Sequence, residues 1–152
     1  MKTTALLVSL AFAALVPGCA QSPPTQLSSV TCTSTTCHIK VSVTNGVVSV
    51  DIDELHLKGV HDVSIVWHLP NDYVFLTALG DGAFLKRDDD GQFDDLYPTD
   101  NDSGAPGPNR KAGKNYHWKG KNTVVKTYQY KLLFHNQAGT AFFLDPTIMN
   151  DG

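Results

Sequence analysis

The chain has 152 residues, 41% of them hydrophobic and 18% charged, with a formal net charge of −3. That length provides for one domain with a real core and not for several. The weakly acidic balance and the lack of a basic stripe exclude a nucleic-acid partner, whose phosphates must be neutralised.

Met1 and Lys2 give a short positive start, and residues 5–16 are nearly all apolar. Such a run is too short to span a bilayer, which takes about 20 residues, and it matches the apolar stretch of an export signal. Val16-Pro17-Gly18-Cys19 closes it, with small residues directly before a cysteine. This resembles the lipobox of bacterial lipoproteins. The resemblance implies that residues 1–18 are a signal peptide cleaved before Cys19, whose thiol takes a diacylglyceryl group and whose new amine is acylated. The membrane is then a partner through this lipid. Ala20, in place of an aspartate, implies sorting to the outer membrane of the cell envelope, facing the periplasm or the cell surface. The alternative is ordinary cleavage after Ala20, giving an exported protein without lipid.

Three cysteines are present, and an odd number in an exported protein leaves one thiol to explain. With Cys19 lipidated, Cys32 and Cys37 remain to pair, and an oxidising compartment makes a disulfide the expectation. Its loop is small and contributes about 2 kcal/mol. A metal site at these two cysteines lacks a second pair of ligands, His38 apart. Ser and Pro recur over residues 21–31, which suits a tether. The expected organisation is a lipidated tether over 19–31 and a folded domain over 32–152.

The clearest element of that domain is a hairpin. Ile39, Val41 and Val43 alternate with polar residues up to Asn45-Gly46, and Val48, Val50 and Ile52 alternate beyond it. Asn-Gly tolerates the positive φ of a type I′ turn, so a two-residue loop is expected. That register sets Val43 against Val48, Val41 against Val50 and Ile39 against Ile52, with Lys40 facing Asp51. Leu55 and Leu57 extend the alternation to Gly59. Residues 63–69 read as a strand stopped by Pro70-Asn71-Asp72, and residues 73–79 as another, closed by Gly80-Asp81-Gly82. A short strand at 83–85 follows. Residues 88–114 lose periodicity, broken by the apolar cluster Phe93, Leu96 and Tyr97. Tyr116 and Trp118 mark a further strand, residues 124–135 the longest, and residues 140–144 a return ended by Asp145-Pro146. No window carries a helical apolar period. About eight short strands with frequent turns predict an all-β fold, a single antiparallel β-sandwich.

Few residues form a chemical constellation. The six histidines, His38, His56, His61, His68, His117 and His135, have no metal-ligand spacing. The aspartates at 88–90, 94 and 95 are rich in oxygen, as Ca²⁺ requires, but they do not match a calcium-loop pattern; a solvated loop, partly balanced by Lys86 and Arg87, is the plainer reading. No nucleophile elbow is present. No catalytic residue, metal site or cofactor is therefore expected. Tyr116, His117 and Trp118, flanked by Lys114, Lys119 and Lys121, form a candidate binding surface, since aromatics among cations can receive a sugar, a peptide or an anion. The alternative is that Tyr116 and Trp118, two apart, share one face and fill the core.

Four segments also suggest a family. Residues 64–69 (Ser-Ile-Val-Trp-His-Leu), 73–75 (Tyr-Val-Phe), 128–132 (Tyr-Gln-Tyr-Lys-Leu) and 144–150 (Leu-Asp-Pro-Thr-Ile-Met-Asn) resemble, in that order, the DP-EP type of small immunoglobulin-like β-sandwich proteins. A more distant likeness is to the inclusion-body protein family. The resemblance covers about residues 60–150 and implies an immunoglobulin-like sandwich, with no activity to transfer. The expected function is a lipid-anchored binding or structural module of the envelope with a protein or glycan ligand. The alternative is a small inhibitor or immunity-type lipoprotein that blocks an extracellular enzyme.

Overall fold

The computed structural model describes residues 28–87, 90–101 and 111–152; the expected signal peptide, Cys19 and most of the expected tether lie outside them. In chain order the strands are β1 (Ser29–Cys32), β2 (Thr36–Thr44), β3 (Val47–Val50), β4 (Glu54–Leu57), β5 (Val63–His68), β6 (Tyr73–Leu76) and β7 (Gly82–Leu85). They continue with β8 (Phe93–Thr99), β9 (Ala112–Gly113), β10 (Asn115–Gly120), β11 (Lys126–Asn136), β12 (Ala141–Leu144) and β13 (Thr147–Asn150). The all-β expectation holds, with a 3₁₀ turn at Thr77–Leu79 shortening the strand expected over 73–79.

The strands form two open sheets. The smaller runs β3-β2-β5-β10-β8; the larger runs β1-β4-β13-β11-β6-β9, with β7 and β12 also on β11. Both sheets are mixed, which corrects the purely antiparallel expectation. β2 pairs with β5 in parallel, and β4 is flanked in parallel by β1 and β13. The count also exceeds eight, because four strands form where no alternation announces them, among them the two-residue β9 inside the expected loop. β1 takes in Ser29–Thr31 from the expected tether, β8 takes in the Phe93–Tyr97 cluster, and β13 follows Pro146 directly.

The hairpin forms as its turn chemistry requires. Asn45 and Gly46 both have positive φ, 53° and 78°, and Val41–Val50, Ser42–Ser49 and Val43–Val48 are in register. Beyond Val50 one more backbone bond follows, the Asp51 N–H donating to the Lys40 carbonyl at 3.0 Å, and the ladder ends. The expected Ile39–Ile52 pair is not part of that ladder; on its other edge Ile39 lies beside Trp67 of β5. Lys40 and Asp51 meet through the backbone: the Lys40 N–H donates to Asp51 Oδ1 at 2.7 Å.

The inner faces meet in an aromatic seam. Trp67 and Trp118 of the smaller sheet and Tyr130 of the larger are fully buried. The Trp67 Nε1–H donates to the Tyr130 hydroxyl at 2.9 Å, a bond that joins the two sheets. Trp118 packs edge-on to Trp67 at 5.1 Å and tilted to Phe93 at 5.0 Å. Burial raises the Tyr130 hydroxyl far above its ordinary pKa, so it stays a neutral acceptor and donor. Cys32 and Cys37 are joined by a disulfide with Cα atoms 6.1 Å apart. This disulfide clasps β1 of the larger sheet to β2 of the smaller one, covalently closing one edge of the sandwich-like pair.

Candidate functional site: a paired-imidazole groove

β2 buries Cys37, Ile39 and Val41 inward, so its alternate residues His38, Lys40 and Ser42 face away from the core. β5 does the same with Val63, Ile65 and Trp67, which turns Ser64 and His68 outward. The parallel register sets Lys40 beside His68 and His38 beside Val66, so His38 and His68 are diagonal neighbours on one surface. His38 Nδ1 and His68 Nε2 are 2.8 Å apart. The ring planes differ by 28° and their centroids are 5.0 Å apart; with nitrogens in contact, the rings meet edge to edge. On the other flank β10 places Asn115 directly opposite His68. Asn115 is buried, and its Oδ1 lies 2.8 Å from His68 Nδ1.

This chain of contacts orders the protons. With Asn115 placed oxygen-first, the amide accepts, so His68 Nδ1 carries the hydrogen. In that tautomer Nε2 is the accepting nitrogen of His68, and His38 Nδ1–H is the donor to it. Space exists for one proton between the rings. The pair borders an open groove of about 630 Å³ lined by Lys40, Val41, Ser42, Leu69 and Pro70 as well as by the two histidines. Imidazoles held in this way can accept a proton, donate one or bind a metal ion.

The other four histidines are committed differently. His56 on the outer face of β4 lies between two carboxylates, with Asp151 Oδ2 2.9 Å from Nδ1 and Glu54 Oε1 2.5 Å from Nε2. The Asp151 contact, assisted by Glu54 and opposed by burial, raises its pKa above the ordinary 6.5. Both ring nitrogens are engaged, so His56 is an ion-pair staple and not a base. His135 Nδ1 contacts both oxygens of the buried Asp81, at 2.7 and 2.9 Å. His61 meets the Asn122 carbonyl at 3.1 Å. His117 meets the Asp95 carbonyl at 2.9 Å and stacks on Tyr97 at 4.8 Å.

The candidate surface at residues 116–118 does not exist as a surface. Tyr116, His117 and Trp118 are all buried, because β10 sits inside its sheet between β5 and β8. Tyr116 and Trp118 fill the core, as their two-residue spacing allowed; Tyr116 packs on Phe75 at 5.2 Å, and burial raises its hydroxyl pKa. Gly82 exists for this contact: a Cβ there would come within 2.7 Å of the Tyr116 ring.

The acidic run is partly visible. Asp88, Asp89 and residues 102–110 lie outside the described residues. Asp90 takes Lys126 at 2.5 Å and Asp94 takes Lys121 at 3.6 Å. Lys86, which adjoins the run, instead pairs with Asp145 at 3.3 Å. Among the described residues no three His, Cys, Asp or Glu side chains converge as a metal cage.

The His38–His68–Asn115 arrangement is absent from the sequence-level candidates. Its members are separated by 30 and 47 residues. The one available signal was that both histidines occupy the outward parity of their strands. No family model matches the chain, and no curated protein does.

Proposed function

We propose that this protein is a lipid-anchored envelope protein whose sandwich domain acts as a binding module through the His38–His68 groove. The observation that carries the anchoring is the cysteine pairing. Cys32 and Cys37 are joined, which accounts for two of three cysteines and leaves Cys19, which follows the apolar leader, as the one available to carry a lipid. The binding role rests on the groove, where the buried Asn115 orients His68 and His68 in turn meets His38. Envelope proteins and glycans are the macromolecular partners that this placement provides. The same reading takes the domain as immunoglobulin-like, on the order of its 64–69, 73–75, 128–132 and 144–150 segments.

Metabolic labelling with a tagged fatty acid tests the anchor. Wild-type protein should carry the label and sediment with membranes, while Cys19→Ser should lose the label and leave the membrane fraction. Undiminished labelling of Cys19→Ser, or cleavage after Ala20 seen by mass spectrometry, overturns it.

A further inference from the structure

We infer that the outer face of the larger sheet, at Phe84, Leu133 and Phe143, is a docking surface that lies on the phospholipid bilayer holding the Cys19 lipid. The inference rests on the lipid-anchor reading and adds an orientation to it, with the His38–His68 groove directed away from the membrane.

Strand parity builds the face. β11 buries Tyr130, Leu132 and Phe134, so Lys131 and Leu133 point outward. β7 sets Phe84 opposite Lys131 and Gly82 opposite Leu133, and β12 sets Phe143 opposite Leu133. Gly82 leaves the β7 flank of Leu133 without a side chain directly across from it. Phe84 is 43% and Phe143 61% exposed, so two aromatic rings stand open on the strands that flank β11. Val47 and Leu96, also exposed, lie apart on the two edge strands of the smaller sheet, and single apolar residues of that kind need no partner.

The polar groups around the rings suit a headgroup layer. Lys131 Nζ lies over the Phe143 ring, 4.9 Å from its centroid. A lysine stem along an apolar surface, with its ammonium within reach of phosphate, is how interfacial side chains divide between acyl chains and headgroups. The neighbouring Lys86–Asp145 pair is balanced, at 3.3 Å, and Lys131 gives the patch its positive sign. That sign also disfavours a second copy on the same face, because a twofold contact would bring two Lys131 ammoniums into one apolar interface.

The route of the chain to the lipid selects the bilayer as the occupant. Ser28 is the first described residue. Its carbonyl receives the Asp53 N–H at 2.9 Å, and its own N–H donates to Asp53 Oδ2 at 3.2 Å. The Asp53 carbonyl in turn receives the Thr147 N–H at 3.1 Å, and Thr147 stands four residues beyond Phe143. Two strand spacings and four residues of strand put Ser28 roughly 15–20 Å from Phe143. Only nine residues lead from Cys19 to Ser28, and they span at most about 30 Å. A domain held on so short a leash stays near the bilayer, where even a weak surface affinity acts at high effective concentration. The inner faces of the two sheets meet at the Trp67–Tyr130 bond, so docking by the larger sheet turns the outer face of the smaller one, with its groove, outward.

The test uses the full-length protein, its lipid at Cys19 checked by mass spectrometry, in protein-free vesicles of phosphatidylethanolamine and phosphatidylglycerol. A trace of phospholipid with a diazirine in its acyl chain marks on irradiation whatever touches the bilayer, and peptide mapping locates the adducts. They should fall on the peptides carrying Phe84, Lys131 and Phe143 and spare those carrying His38 and His68. The double variant Phe84→Ser, Phe143→Ser replaces exposed rings and should keep the wild-type urea midpoint, while adducts at Lys131 and Leu133 fall by about 5-fold or more. Lipidated wild type whose adducts miss Phe84 and Phe143, or fall equally on the His38–His68 face, overturns the docking face and leaves the anchor standing. A patch made for a protein partner gives that same negative result, since the vesicles contain no other protein. A chain without lipid at Cys19 overturns the anchor and the docking together.

Discussion

The outer faces of the two sheets carry histidines in opposite electrostatic settings. On the larger sheet, His56 lies between Glu54 and Asp151, and His135 faces the buried Asp81. On the smaller sheet, His38 and His68 face each other and an amide oxygen, and His117 faces a backbone carbonyl. A carboxylate beside an imidazole favours its charged form and turns the residue into a fastener. A neutral acceptor fixes one tautomer and leaves a lone pair for chemistry. The same residue type therefore holds strands together on one sheet and equips a groove on the other.

The comparison breaks most visibly at Asp81. Its carboxylate receives the Leu76 N–H at 2.9 Å as well as the His135 ring, and the residue is 2% exposed. Asp81→Ala strands a backbone donor and an imidazole in a site that water hardly reaches. A loss of about 2–3 kcal/mol is expected, read as a lower urea midpoint at unchanged slope. A loss below about 0.5 kcal/mol would show that the larger sheet does not depend on its carboxylate–histidine contacts.

What the sequence reveals divides along a related line. Alternation and turn chemistry are local, so the register of the 41–50 hairpin is legible: Asn45-Gly46 requires a two-residue loop, and the loop sets the register. The inward placement of Trp67, Tyr130 and Phe134 is likewise a matter of parity. Neighbourhood is not local. Nothing in the β2 or β5 segments states that they pair in parallel, and without that pairing His38 and His68 are unrelated residues 30 positions apart. β8 was hidden by Asp94, Asp95 and Pro98, which look like loop residues. It forms because β10 offers an unpaired edge and because Asp95 adopts a positive φ of 51° where the register shifts. β13 was hidden by Pro146, which terminates β12 yet leaves the Thr147 N–H free to donate to the Asp53 carbonyl at 3.1 Å.

His56 supplies a smaller, pH-dependent version of the Asp81 effect. Its folded-state pKa is raised above 6.5, so folding favours the protonated ring. The stabilisation is fully present below the unfolded value and disappears as pH rises through the raised folded value. The stability gap between wild type and His56→Gln should therefore be largest near pH 6, below the unfolded value, and close toward pH 9. The site is partly open to solvent, which keeps the gap at about 1 kcal/mol or less. Chemical denaturation at a series of pH values measures it. A gap that widens with pH would mean that the ring is held neutral.

The groove histidines should behave in the reverse manner, and this is the smallest stability effect of the set. His38 and His68 contact one another on an exposed face. His38→Ala should shift unfolding free energy by no more than about 0.5 kcal/mol, as exposed substitutions do. Measured beside His56→Gln at pH 6, it should show little stability change, whereas His56→Gln loses stability there. If His38→Ala destabilises the domain as much as His56→Gln does, the imidazole pair is a fastener too, and the distinction between the two sheet faces fails. If the two variants separate as expected, the partner beside each imidazole, rather than the histidine itself, decides what that face of the sandwich does.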